Sequence, residues 1–177
     1  MLGMLLFALE RKDWDKNMSN AAILSIRPVY ASQILARKKT IELRRSDMGL
    51  AVSDVVLFYV SAPDQRLGGW FRIAKIEILG VDEMWSKQHE LLGINHDDYL
   101  KYFEGAERAF GLHVGEMRPL EKSISLTEIQ NIVPGFVPPQ GLIWIKQDLG
   151  RFANLLSRIH PPLPDDVFPQ LSLFESR

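Results

Sequence analysis

Residues 22–45, AILSIRPVYASQILARKKTIELRR, read as strand, helix, strand, and nearly everything chemically specific in the chain lies in this stretch or folds against it. Residues 22–26 are a short apolar run. Pro28 then stands where a first helical residue tolerates proline, because its missing N–H would have had no partner there. Tyr30, Ala31, Ile34 and Leu35 recur at helical spacing, so one face of a helix starting near Pro28 packs inward. Arg37, Lys38 and Lys39 crowd the expected last turn, where cations complement the helix dipole, and the helix is expected to end near Lys39. Beyond it the residues alternate. Ile41 and Leu43 point one way and Thr40, Glu42 and Arg44 the other, as a strand with one buried face requires. Lys39, Thr40, Glu42 and Arg44 are therefore expected to share one mouth.

The chain's 177 residues, 46% hydrophobic and 24% charged, suit one globular domain that buries roughly 70% of its unfolded surface. The absence of cysteine excludes disulfides, thiolate catalysis and cysteine-type zinc sites, and fits a reducing, cytoplasmic setting. With a formal net charge of −1, any nucleic-acid site must be a local patch, and residues 37–45 are the strongest candidate. Residues 1–9 are apolar, but no basic residues precede them and they are too few to span a bilayer, so no signal or membrane anchor is expected. Leu2, Leu5, Leu6 and Leu9 fall at helical spacing, which fits a short packed helix; Met18 is an equally good start for the chain.

After the opening unit, residues 46–54 read as a loop and 55–60 as a strand buried on both faces. Residues 62–69 are expected to turn the chain through Pro63, Gly68 and Gly69 into a partner strand over 70–79. Asp82 reads as the N-cap of a helix closed by Gly93, and Asn95 as the cap of a second that ends at Gly105, with Tyr99, Tyr102 and Phe103 on its apolar side. Residues 109–114 suit a strand, 125–132 a weak helical turn, and 142–145 the last strand. Six short strands with inserted helices point to an α+β fold built on a small mixed barrel. Leu149, Phe152, Leu155, Leu156 and Ile159 give an amphipathic helix over 147–160 that docks on it. The proline-rich residues from 161 to 177 are expected to be a flexible tail.

At LSIRP (24–28) and KKTIELR (38–44) the chain resembles the ASCH family, a branch of the PUA-like superfamily of small β-barrel domains. YVSAP (59–63), GWFRIAKI (69–76), YFEGAERAFGLHVG (102–115) and PPQGLIWI (138–145) resemble, in order, the blocks of a subfamily described as PUA-like predicted transcriptional regulators. The resemblance implies a PUA-like domain over 21–146, with an extension over 1–20, the helix and the tail outside it. Some small ASCH proteins are amidohydrolases acting on a modified cytidine, with a K-T-x-T-x-R motif that supplies a lysine base and a threonine nucleophile. On that motif the lysine falls on Lys39 and the first threonine on Thr40, but Glu42 takes the nucleophile's place. A carboxylate cannot replace a hydroxyl in that acyl-transfer step, which argues against the activity. Other members are ribonucleases, and Lys39 with Glu42 as general base could serve such chemistry.

In the mouth, Arg27, Lys39, Arg44 and Arg45 can neutralise phosphates, while Tyr59 or Trp70 can stack on a base, the combination that single-stranded nucleic-acid sites use. Glu42 can accept from an exocyclic amino group and so read a cytosine or adenine edge. The plainer reading is a solvated basic helix end, with Glu42 paired to Arg44 or Arg45 and Trp70 in the core. His89, His96, His113 and His160 lack ligand spacing, so no metal or other cofactor is demanded. The tail ends in QLSLF, which resembles the peptide by which bacterial replication and repair proteins dock on the polymerase sliding clamp. Leu171, Leu173 and Phe174 would seat in an apolar groove, with Ser172 between them and Gln170 fixing register; the alternative is that they fold back on the chain's own domain. The expectation is an RNA- or modified-base-DNA-binding reader or regulator, against a hydrolase at the same mouth or a clamp-docking adaptor.

Overall fold

The structure, a computed structural model, describes residues 19–167. Its strands are β1 (Ala21–Ile26), β2 (Ile41–Arg44), β3 (Val55–Val60), β4 (Arg66–Gly80), β5 (Arg108–Ser125) and β6 (Leu142–Trp144). Its helices are α1 (Pro28–Leu35), α2 (Val81–Leu92), α3 (His96–Tyr102), α4 (Leu126–Ile132) and α5 (Leu149–Leu156). The strands form a single mixed sheet in the order β2-β5-β4-β3-β1-β6, with β1 parallel to β3 and the other pairs antiparallel.

The α+β class stands, but the ladder does not close into a barrel: β2 and β6 are its two edges. Nor are all the strands short. β4 and β5, with 15 and 18 residues, pair along nearly their whole lengths, and register shifts at Leu67/Gly69, Phe71/Ile73 and Ile73/Lys75 bend the pair. Gly68 and Gly69, expected in the turn, lie inside β4. The sheet demands them there, because a Cβ on Gly69 would stand 2.6 Å from both the Arg118 carbonyl oxygen and Phe58 Cζ.

Alternation along the central strands sorts the core into two layers. Ala21, Ile23, Val55, Leu57 and Tyr59 face α4 and α5, where Ile129, Phe152 and Leu155 meet them. Ala22, Leu24, Val56 and Phe58 face the other way, toward Ala31 and Ile34 of α1. A third cluster packs Ile41 and Leu43 of β2 on Met84 and Leu92 of α2 and on Tyr99 of α3.

The amphipathic helix docks as its period predicts, but α5 starts at Leu149 after a 3₁₀ turn and ends at Leu156, one turn short of His160. Residues 161–167 are pinned rather than loose. Val167 is buried, the Trp70 indole N–H donates to the Pro161 carbonyl at 3.1 Å, and Arg72 Nη2 meets Asp166 Oδ1 at 2.6 Å. α4 carries a reciprocal capping box, Ser125 with Glu128, which makes a firm helix of what the sequence suggested was a weak turn.

Candidate functional site

α1 ends four residues before Lys39. Its C-cap is Ala36, Arg37 takes a left-handed φ of 58°, and the amides of Lys38 and Lys39 both donate to the Gln33 carbonyl, at 2.9 and 3.1 Å. This tight turn decides the site. A helix running on to Lys39 would have left its amine in solvent; instead Lys39 is only 2% exposed. Its Nζ donates to the Leu92 carbonyl at 2.6 Å, lies 3.6 Å from Glu42 Oε2, and stands 5.1 Å from the centre of the Tyr30 ring. Gly93 makes room for it. The residue ends α2 at a φ of +60°, and a Cβ there would meet Gln33 Oε1 and sit 2.8 Å from Lys39 Cβ.

Glu42, 4% exposed, is the second buried charge. Its Oε1 lies 3.1 Å from Arg44 Nη2, while Oε2 accepts no hydrogen bond. Arg44 Nη2 also donates to the Ser25 carbonyl at 3.0 Å, and Arg44 Nε has no acceptor. The Arg44–Ser25 bond joins β2 to β1, two strands that are not neighbours in the ladder.

A cleft at these residues encloses about 330 Å³. Its lining comes from three stretches: Ser25, Ile26, Arg27 and Tyr30 where β1 passes into α1, Lys39, Glu42, Leu43 and Arg44 at β2, and Ile94, Asp98, Lys101 and Tyr102 at α3. Four cations thus face two carboxylates. Burial pulls the Lys39 amine below its ordinary value, against the opposing pull of Glu42. Burial likewise pushes the Tyr30 and Tyr102 phenols up. Buried Lys39 and Glu42, with the half-buried Arg44, bring both proton-transfer groups and hydrogen-bonding groups to one place, with exposed Arg27, Asp98 and Lys101 at the mouth.

Of the residues named from sequence, Arg27, Lys39, Glu42 and Arg44 come together here. Thr40 does not line the cleft; its amide donates to the Leu91 carbonyl and its carbonyl accepts from Val114, so its backbone is spent on the sheet. Arg45 turns away to the Glu104 carbonyl, at 2.7 Å. Tyr59 and Trp70 are a correction. Both are buried in the layer under α5, because their positions in β3 and β4 put them on the opposite face of the sheet. The aromatic rings of the cleft are Tyr30 and Tyr102, which the apolar period had assigned to packing. Asp98, Lys101 and Tyr102 were missed as a set, although their three- and four-residue spacing places them on one face of α3. Arg37 points to the Gly115 carbonyl of β5 instead. The clamp-like Gln170, Leu171, Ser172, Leu173 and Phe174 lie outside the described residues. Among the described residues, no group of three or more His, Asp or Glu side chains is placed to hold a metal ion, and no helix is long and apolar enough to cross a membrane.

A family model described as "ASCH domain" matches residues 24–121, more than half of the chain. A Zymomonas mobilis protein named as an ASCH domain-containing ribonuclease is 29% identical over 139 residues, 78% of this chain and 93% of that one. The crystal structure of ASCH from Zymomonas mobilis superposes with a TM-score of 0.72 at 28% identity, over 79% of this chain and 96% of that one. The N-terminal domain of Staphylothermus marinus McrB shares the fold alone, with a TM-score of 0.50 at 12% identity over 76% of this chain and 93% of that one.

Proposed function

The chain belongs to the ASCH domain family, and from that premise we propose that its cleft binds single-stranded RNA, one nucleotide entering between Tyr30 and Tyr102, in the manner of a reader or regulator. One observation carries the reading: a single cavity of about 330 Å³, at the small end of ligand pockets, combines cations with tyrosine rings. The Zymomonas mobilis relative, named as a ribonuclease, favours RNA over DNA as the partner.

The test is fluorescence anisotropy of single- and double-stranded RNA and DNA at several salt concentrations, with wild type and an Arg27→Ala, Lys101→Ala double variant. Both residues are exposed at the mouth, so their loss spares the fold. Single-stranded RNA should bind most tightly, and removing two phosphate contacts should flatten the salt slope by about 1.4. Failure of every nucleic acid to bind would end the proposal.

A second reading, hydrolysis of RNA, is favoured by a buried lysine amine whose pKa is lowered, 3.6 Å from a carboxylate oxygen without a hydrogen bond, a pair suited to proton transfer. Cleavage of labelled RNA that persists through purification and is lost in Lys39→Met would establish it. Hydrolysis of an acylated nucleoside at this cleft is disfavoured, because Glu42 holds the place of the nucleophilic hydroxyl. Clamp docking through residues 170–174 is a separate proposal, tested by pull-down of a sliding clamp with and without those residues.

A further inference from the structure

The cleft carries two carboxylates, and their situations differ. Glu42 is buried against Lys39 and Arg44, at 3.6 and 3.1 Å. Asp98 is exposed at the mouth and forms no ion pair among the described residues, although Arg27 and Lys101 line the same cleft. Its hydrogen bonds are local. The Asp98 amide donates to Asn95 Oδ1 at 2.9 Å, and Asn95 Nδ2 donates to Asp98 Oδ2 at 2.7 Å. A neutral amide thus fixes the carboxylate by one oxygen, and the other, Oδ1, has no partner among the described residues. The charge reaches across the cleft: burial first, then Asp98 and Glu42, raise the Tyr30 phenol against the opposing pull of Arg27. A carboxylate without a counter-charge repels any phosphate brought to Arg27 or Lys101, so it costs affinity for a nucleic acid unless the ligand gives it a donor. As an acceptor-only group it is satisfied by a hydroxyl or amino hydrogen, and by nothing that a phosphodiester or an internal deoxyribose carries.

We propose that Asp98 is the residue by which the cleft tells RNA from DNA: with a phosphate against Lys101, the 2′-hydroxyl of the adjoining ribose donates to Asp98 Oδ1. Position selects the sugar as the donor. Asp98 and Lys101 stand three residues apart on one face of α3, a rise of about 4.5 Å along the helix. That span is comparable to the one between a ribose 2′-hydroxyl and the phosphate on the adjacent carbon, whereas a base edge lies farther off. Both residues are exposed, so the contact needs no movement of buried Lys39 or Glu42. The charge-assisted hydrogen bond offsets the repulsion between carboxylate and phosphate; a deoxyribose leaves that repulsion standing. One carboxylate therefore favours the first sugar and penalises the second, which is how a single residue yields a preference.

The inference rests on the RNA reading and assigns its choice of sugar. The test is fluorescence anisotropy, at one salt concentration, of a single-stranded RNA, the DNA of the same sequence and the 2′-fluoro RNA, which keeps an RNA-like sugar shape but has no hydroxyl hydrogen. Wild type should bind RNA about tenfold more tightly than either of the others. In Asp98→Ala, RNA should weaken while DNA and 2′-fluoro RNA hold or tighten, bringing all three strands within about twofold of one another. Asp98→Asn, which keeps the side chain's shape and removes its charge, should narrow the preference in the same direction. Arg27→Ala removes a phosphate contact and should weaken all three strands alike, leaving the preference in place. A wild type that binds DNA or 2′-fluoro RNA as tightly as RNA, a preference that survives Asp98→Ala, or equal weakening of all three strands in both Asp98 variants overturns the inference and leaves RNA binding standing. Failure of every strand to bind removes the RNA reading, and this inference with it.

Discussion

Lys39 and Glu42 are charged side chains in positions where burial alone would exclude them, and each is tolerated because the other, with Arg44, offsets it. Removing one member should cost more than the pair is worth. Glu42→Ala leaves two cations without their carboxylate and should lower unfolding free energy by about 3–5 kcal/mol in urea titrations. Arg27→Ala, at an exposed position, should lie within about 0.5 kcal/mol of wild type in the same measurement. Gly93→Ala should be costly for a different reason: at φ +60° a Cβ is strained, and it would press on Lys39 Cβ from 2.8 Å. We expect a loss of about 1–3 kcal/mol together with weakened RNA binding, because relief of the clash moves Lys39. Glu42 and Lys39 were legible in the sequence as members of one mouth. Tyr59 and Trp70 could be read both ways, as core residues of a buried strand and hairpin or as stacking rings of the mouth, since an aromatic residue's address depends on which face of a strand it occupies and which partner strand lies beside it.

At the scale of elements, the cleft is held by short ones. α3 has seven residues yet supplies Asp98, Lys101 and Tyr102, and its start is held by Asn95, whose side chain accepts from the Asp98 amide at 2.9 Å and donates to Asp98 Oδ2 at 2.7 Å. Asn95→Ala should cost about 1 kcal/mol by chemical denaturation and, unlike a cap on a remote helix, weaken RNA binding severalfold. A matched Ser125→Ala on α4 should cost a similar amount and leave binding unchanged, which separates a general loss of stability from loss of the cleft's lining. Both caps are local in sequence, and Asn95 was readable for that reason. The end of α1 was not. Three consecutive basic residues suit a helix terminus, but the turn formed when Gln33 receives two amides lets Lys39 leave the helix axis for the cleft.

Across the whole molecule, the segment 161–167 crosses back over the sheet and ties α5 to β4. The Arg72 guanidinium, through its hydrogen bond to Asp166, holds that carboxyl below the ordinary aspartate range. Because the folded value is depressed, the tie contributes stability above the unfolded aspartate's pKa and loses it as pH falls through the lower folded value. Hydrogen exchange at the Trp70 indole N–H, bonded to Pro161, should quicken over that acidic window, and Asp166→Asn should be faster at neutral pH and lack the acid step.

The repeating features of this chain were decided by sequence alone: the strand-helix-strand opening, the fully buried run of β3, the amphipathic α5 and the ASCH signature all depend on neighbours a few residues apart. Tertiary structure decided what those elements face. The sheet's failure to close, the cleft between β1, β2 and α3, the choice of Tyr30 and Tyr102 over Tyr59 and Trp70, and the packing of residues 161–167 each depend on contacts between distant positions. The physical reason is that periodicity fixes which side chains share a face, whereas the partner of that face is chosen by a global balance of burial and hydrogen bonding that no local stretch contains.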